Sequence, residues 1–153
     1  MKLFFTGLII AVLLTGTTAY GDETAGTKAM KIKLTFDNQN VIVKMRNNSA
    51  VHQFLQMLPA DFEFIDFAGK EKISEFPRPV FLADTPRGMI ATKGKMFIYA
   101  PWGNFGFFYK DHGHSPDNSL IELGEIENGL EHLANKKGGF FARIEFLNTG
   151  KER

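Results

Sequence analysis

The chain has 153 residues, no cysteine and an almost balanced charge, with 18 basic and 17 acidic side chains. A balanced chain without a basic stripe lacks the electrostatic surface for nucleic-acid binding, so we exclude that class. Disulfides and lipid attachment through cysteine are excluded as well, so stability has to come from packing, and the length suits one domain with a substantial core.

The first 21 residues have the pattern of a secretory signal peptide. Lys2 supplies a short positive region, residues 3–14 are almost wholly apolar, and small and polar residues follow. The apolar run is shorter than the roughly 20 residues of a transmembrane helix, which favours a cleaved segment over a retained anchor. We expect cleavage after Ala19 or Gly21 and an exported protein, periplasmic or secreted, with no stable membrane insertion afterwards. The mature chain would carry 17 basic and 17 acidic side chains.

The remaining chain is predicted to form a single domain. Residues 22–29 are small, polar and aperiodic, which indicates a flexible leader. The domain is expected over residues 30–148, followed by a short tail over residues 149–153. Sixteen phenylalanines, fourteen of them beyond the signal peptide, are expected to supply much of its core.

Alternating apolar residues and turn residues predict a series of short strands. Residues 30–43 have the pattern of a hairpin whose turn is at residues 37–40, and a second hairpin is predicted from residues 62–67 and 72–76. Further strands are predicted at residues 95–100, 105–109, 120–126 and 140–147.

Two helices and two loops complete the prediction. Asn48 or Ser49 can cap a helix with apolar residues at positions i, i+3, i+4 and i+7, which Pro59 ends, and a second short helix is predicted at residues 130–135. The proline-rich stretch at residues 77–88 indicates a rim loop, because proline has no donor for a strand ladder. Residues 111–118 form a polar loop. About eight strands and two helices indicate a mainly β protein, a closed antiparallel barrel whose ends the helices cap.

Three segments carry a resemblance to a known family. They are residues 94–104 (GKMFIYAPWGN), 107–109 (FFY) and 120–126 (LIELGEI), and with them the chain resembles the short bacterial cyclophilin-like family. The resemblance implies an eight-stranded barrel with two helices, related in fold to the proline isomerases called cyclophilins. Those isomerases carry a Phe-His-Arg segment and a Gln-Gly-Gly-Asp segment around a catalytic arginine. Neither segment is present here, which argues against isomerase activity.

An isomerase would need an apolar pocket and a donor that weakens amide resonance. Arg87 is the candidate catalytic donor and Arg78 a candidate ligand-binding residue, since both lie in the proline-rich loop. That loop could face a groove floored by Phe97, Tyr99 and Phe107. The simpler interpretation is that both arginines are ordinary surface charges and that their loop contains only a turn.

Two further aromatic residues are candidates for ligand binding. Trp102, the single tryptophan, lies in a loop, where it could form a platform for a ligand or fold back to plug the mouth of the barrel. Both alternatives stay open. Tyr109 ends the second aromatic strand and belongs to the same candidate set.

A metal site is the weakest of the candidates. Asp111, His112 and His114 lie within four residues, a spacing that a loop could wrap around zinc or copper. Zinc sites use three or four ligands, and no third histidine lies nearby in the sequence. We therefore expect no metal and no other cofactor.

The preferred hypothesis is a binding module with a groove between residues 77–88 and the strands of residues 99–109. Its ligand would be a peptide or a small apolar molecule. One alternative is a peptidyl-prolyl isomerase or periplasmic folding helper that uses Arg87. The other is an assembly partner of another exported protein.

Overall fold

A computed structural model describes residues 29–147, which form ten strands and two helices. The predicted signal peptide, the tail and all but the last residue of the leader lie outside these described residues. The strands are β1 (Lys31–Phe36), β2 (Gln39–Met45), β3 (Ala60–Phe67), β4 (Glu71–Ser74), β5 (Met89–Ile90), β6 (Lys95–Tyr99), β7 (Asn104–Phe108), β8 (Pro116–Asp117), β9 (Leu120–Asn128) and β10 (Phe140–Phe146), and the helices are α1 (Ser49–Leu55) and α2 (Leu130–Asn135).

Eight of these strands form a closed barrel in the order β1-β10-β3-β4-β7-β6-β9-β2, in which every pair of neighbours is antiparallel. The predicted fold class is thereby confirmed. Within the described residues, β5 and β8 form a separate two-stranded pair that the sequence did not indicate. In the same part of the chain, neither helix has the length and hydropathy that a bilayer crossing requires.

Local sequence signals explain the first hairpin and the first helix. Asp37 and Asn38 form the turn between β1 and β2 with positive φ angles of 47° and 58°, a conformation that Asp and Asn tolerate better than most residues. The Asn48 side chain accepts a hydrogen bond of 2.9 Å from the Val51 amide and so caps α1. Both elements were predicted, although the helix ends at Leu55, several residues before the proline.

Phenylalanines fill the interior of the barrel. The Phe105 ring lies 5.4 Å from Phe54, 5.3 Å from Phe62, 5.7 Å from Phe64 and 4.6 Å from Phe76, measured between ring centroids. Such pairs add about 0.5–1.5 kcal/mol each to the free energy of burial. A protein without disulfides thus obtains its stability from this aromatic core.

One charged side chain also points into the barrel. Lys72 is fully buried, and its Nζ donates to Asp66 Oδ2 at 2.6 Å and to the carbonyl of Lys136, just beyond α2. The Tyr109 hydroxyl donates to the other oxygen of Asp66 at 2.9 Å, and Lys72 Nζ lies 4.9 Å from the centre of the Tyr109 ring. This cluster ties the β3–β4 hairpin to the end of α2.

The pKa values in this cluster follow from its contacts. Burial acts to raise the pKa of Asp66, but the hydrogen bonds from Lys72 and Tyr109 outweigh it, so the pKa lies below its ordinary value. Burial and the hydrogen bond to Asp66 raise the pKa of Tyr109 to about 12. The hydroxyl therefore keeps its proton, and its hydrogen bond, at neutral pH.

A smaller apolar cluster lies on the outside of the barrel. Alternation along β7 points Phe105 and Phe107 inward, and Asn104 and Phe108 outward. Residues on this outer side pack together over β4, β6, β7 and β9. The buried members of the outer cluster are Ile73, Met89, Ala91, Phe97, Phe108 and Leu120.

Candidate ligand-binding groove

A groove crosses the outer face of the barrel where β4, β7, β6 and β9 lie side by side. We call it the outer groove. Its cavity volume is about 330 Å³, which lies at the small end of the range for small-molecule sites. The side chains that line it are mostly aromatic or aliphatic: Phe67, Glu71, Ile73, Phe97, Tyr99, Trp102, Asn104, Phe108, His112, Asp117 and Leu120.

Stacked rings form the floor of the outer groove. Phe97 of β6 and Phe108 of β7 are stacked with their centroids 4.2 Å apart and their planes 21° from parallel. Gly106, which pairs with Phe97, makes room for this floor. A Cβ atom on Gly106 would lie 3.1 Å from Phe97 Cζ and 2.6 Å from the carbonyl oxygen of Lys72.

Three aromatic rings cross above this floor, and we call them the aromatic arch. The Trp102 ring stands perpendicular to Phe67, with centroids 5.8 Å apart, and perpendicular to Tyr99 at 5.3 Å. Phe67 lies opposite Glu71 at one end of β4, whereas Trp102 comes from the β6–β7 turn at the other end. The rings therefore meet over the strands between the two ends of the groove.

Asn104 supplies an unpaired acceptor at the Trp102 end. It is only 3% exposed, and its Oδ1 finds no hydrogen-bond partner among residues 29–147. A buried acceptor without a partner costs about 1–3 kcal/mol, so such groups are rare in folded proteins. A ligand that donates a hydrogen bond in the outer groove would satisfy it.

Glu71 supplies a carboxylate at the opposite end. It is 9% exposed, and its Oε1 lies 3.7 Å from His112 Nδ1, beyond hydrogen-bonding distance. Burial raises the pKa of Glu71, and the charge of Lys70 lowers it only in part. Asn104 and Phe108 are about 13 Å apart along β7, and Glu71 pairs with Phe108. Asn104 and Glu71 therefore place one polar group at each end of an apolar groove.

Three of the predicted binding residues lie together in the outer groove: Phe97, Tyr99 and Trp102. The Trp102 side chain is 61% exposed and belongs to the arch, so it does not plug the barrel. Phe107 does not join them, because it lies fully buried inside the barrel. Tyr109 lies behind the groove, where it is bonded to Asp66.

The predicted arginines lie elsewhere. Arg78 and Arg87 are exposed, and no residue of the segment 77–88 lines the outer groove. That segment is fixed to α1 instead, since the Gln53 side chain exchanges two hydrogen bonds of 2.9 Å with the backbone of Phe81. Its Val80 and Leu82 pack against the interior core, so the loop does not form the groove wall that we expected.

The three metal candidates do not come together in one site. Asp111 accepts a hydrogen bond from the Lys93 amide, and His112 faces the outer groove near Glu71. His114 does not line it. Within residues 29–147, no group of three or more His, Asp or Glu side chains is arranged to hold a metal ion.

The groove lining also includes residues that were not predicted, among them Phe67, Glu71 and Asn104. Glu71 and Phe67 flank the turn of the second hairpin and face each other across it. Period-two alternation through Ile73 would have placed Glu71 on the outer side of that strand. For Asn104, the available signal was its position at the start of an otherwise apolar strand, two residues from the single tryptophan.

Comparisons with known proteins agree with this architecture. The model of the cyclophilin-like family matches residues 34–145. The solution structure of the hypothetical protein AF2241 from Archaeoglobus fulgidus is similar in fold, with a TM-score of 0.62 and 16% sequence identity over 76% of this chain and 94% of that chain. No curated protein matches the sequence.

Proposed function

This chain belongs to the cyclophilin-like family, and we propose that it is a binding module whose outer groove takes a small apolar ligand or an apolar side chain of a peptide. The observation that carries the proposal is Asn104, whose buried Oδ1 has no partner in residues 29–147 although it lines an aromatic groove. Natural sites of this kind combine apolar walls with a few polar groups that orient the ligand.

The walls define what the ligand offers. An aromatic or aliphatic body can lie on the stacked rings of Phe97 and Phe108, beneath the aromatic arch. A hydrogen-bond donor on the ligand meets Asn104 Oδ1 and removes the cost of leaving that atom unpaired. The cavity of about 330 Å³ limits the bound part to one ring with a short substituent.

The isomerase alternative has less support from the geometry. It depends on Arg87, which is exposed and does not line the outer groove. In the described part of the chain, the groove lining includes no arginine and no lysine. Binding without arginine-assisted isomerisation is therefore the function that the geometry supports best.

A titration with small neutral probes tests the binding proposal. Trp102 is the single tryptophan and belongs to the arch, so its fluorescence should change when 2-phenylethanol or N-acetylphenylalanine amide enters the groove. Tyr99→Ala removes one ring of the arch and should weaken binding by about tenfold.

Phe141→Ala is the matched control for this test. Phe141 is a 69% exposed aromatic residue of β10 that does not line the groove, so its removal should leave the affinity unchanged. Equal losses of affinity in both variants would place the binding outside the outer groove. An unresponsive Trp102 with both probes would count against the proposal as a whole.

A further inference from the structure

The formal charges in the lining of the outer groove come from carboxylates. Glu71 and Asp117 contribute carboxylates to its lining, whereas no lysine or arginine among residues 29–147 does so. Of the two, only Glu71 is largely buried, with 9% of its surface exposed, whereas Asp117 is open to solvent. A buried carboxylate without a charged partner is costly to keep in a fold.

The aromatic arch stands beside this carboxylate. Phe67, one ring of the arch, pairs directly with Glu71 between β3 and β4. The rings of Phe67 and Tyr99 each stand at 89° to Trp102, so the three present differently oriented faces and edges to the same small space. Aromatic faces attract organic cations through their quadrupoles, and tryptophan does so most strongly.

Resting on the proposed binding function, we propose that the ligand of the outer groove is an organic cation, an alkylammonium group attached to an apolar or aromatic body. The ammonium lies on the Phe67 side of the aromatic arch, where Glu71, which pairs with Phe67, balances its charge. The apolar body extends over Phe97 and Phe108. The bound cation compensates the charge of this largely buried carboxylate.

Glu71 has other charged or titratable neighbours, and they do not replace the cation. His112 lies 3.7 Å away with its side chain 46% exposed, and Lys70 acts on Glu71 only through its charge. Tyr109 faces Asp66 rather than the groove. A neutral ligand would leave the charge of the Glu71 carboxylate unbalanced, whereas a cationic ligand makes a direct electrostatic contact with it.

Three probes of one shape and different charge test this inference: phenethylammonium, 2-phenylethanol and phenylacetate. They are titrated into the protein at pH about 8, where alkylammonium groups keep their proton. Trp102 fluorescence reports occupancy. We expect phenethylammonium to bind about tenfold more tightly than 2-phenylethanol, and phenylacetate to bind more weakly than both.

Two variants then assign the preference to the carboxylate. Glu71→Gln keeps the shape of the side chain and should remove most of the preference for phenethylammonium over 2-phenylethanol. Glu75→Gln is the matched control, because Glu75 is exposed and does not line the outer groove, and it should keep the preference intact.

The outcomes separate this inference from the proposed function. If 2-phenylethanol or phenylacetate binds as tightly as phenethylammonium, the groove binds ligands but the cation inference is wrong. If the preference survives in Glu71→Gln, the carboxylate does not supply it, and the inference that places the cation beside Glu71 is wrong as well. If none of the three probes changes the Trp102 signal, the proposed binding function fails and the inference with it.

Discussion

At the scale of single residues, Lys72 and Asp66 form an asymmetric ion pair. The Lys72 side chain is 1% exposed, whereas that of Asp66 is 33% exposed. Water can therefore solvate the carboxylate if its partner is lost, but it cannot reach the ammonium. An uncompensated charge is far more costly in the interior than near the surface.

This asymmetry predicts unequal effects on stability. Asp66→Asn leaves the buried ammonium of Lys72 without an anion and should lower the free energy of unfolding by about 3–5 kcal/mol. Lys72→Met removes the buried charge itself and should cost less. Urea unfolding of both variants at neutral pH measures the difference, and an equal or larger loss in Lys72→Met would contradict it.

The pH dependence of the same pair has a defined sign. Since contacts in the fold hold the pKa of Asp66 below its ordinary value, ionised Asp66 adds stability at any pH well above that ordinary value. This contribution disappears as the pH falls through the lowered pKa. The stability difference between the unmodified protein and Asp66→Asn should accordingly shrink in acid.

At the scale of elements, β7 shows why the groove was only partly predictable. All five of its residues are buried, because the interior core packs against one face and the outer apolar cluster packs against the other. A strand buried on both faces has no polar side to reveal its register. Phe107 was therefore assigned to the groove although alternation from Asn104 places it inside the barrel.

The elements with clear signals were predicted well. The first hairpin has a polar turn and one polar face, and α1 has a capping residue and an apolar stripe, so local sequence suffices for both. The segment 77–88 was placed correctly as a loop, but its attachment to α1 depends on Gln53, far away in the sequence. Long-range side-chain contacts of this kind leave no local signal.

Gly106 on β7 gives a prediction at the same scale. Gly106→Ala would place a Cβ atom 2.6 Å from the backbone oxygen of Lys72, a contact that forces β7 away from β4. Overpacking of this kind costs about 1–3 kcal/mol, and displacement of the Phe97 ring should also weaken ligand binding.

Gly139→Ala provides the control for Gly106→Ala. Its Cβ atom would lie 3.4 Å from the Phe64 carbonyl oxygen, which is ordinary contact. We expect its midpoint of thermal unfolding to stay close to that of the unmodified protein, with that of Gly106→Ala clearly lower. Matching midpoints for Gly106→Ala and the unmodified protein would show that β4 and β7 are not packed as closely as described.

At the scale of the whole molecule, the barrel could be predicted, but the outer groove could be predicted only in part. A series of regular short strands indicates a closed barrel. The motifs of residues 94–104 and 120–126 indicated the cyclophilin-like family, whose model matches residues 34–145. The outer groove instead combines the β3–β4 hairpin with the β6–β7 turn, which meet because β4 pairs with β7, a strand distant from it in the sequence. Strand order and register, not composition, bring Phe67 and Trp102 together.

The most direct test of the central claim is to map where a ligand binds by amide chemical shifts in isotope-labelled protein titrated with phenethylammonium. We predict the largest shifts at the Trp102 indole N–H, at Asn104 and Glu71, and along β6 and β7, with little change in residues 77–88. Shifts concentrated in residues 77–88, around Arg78 and Arg87, would contradict the assignment of the outer groove as the binding site.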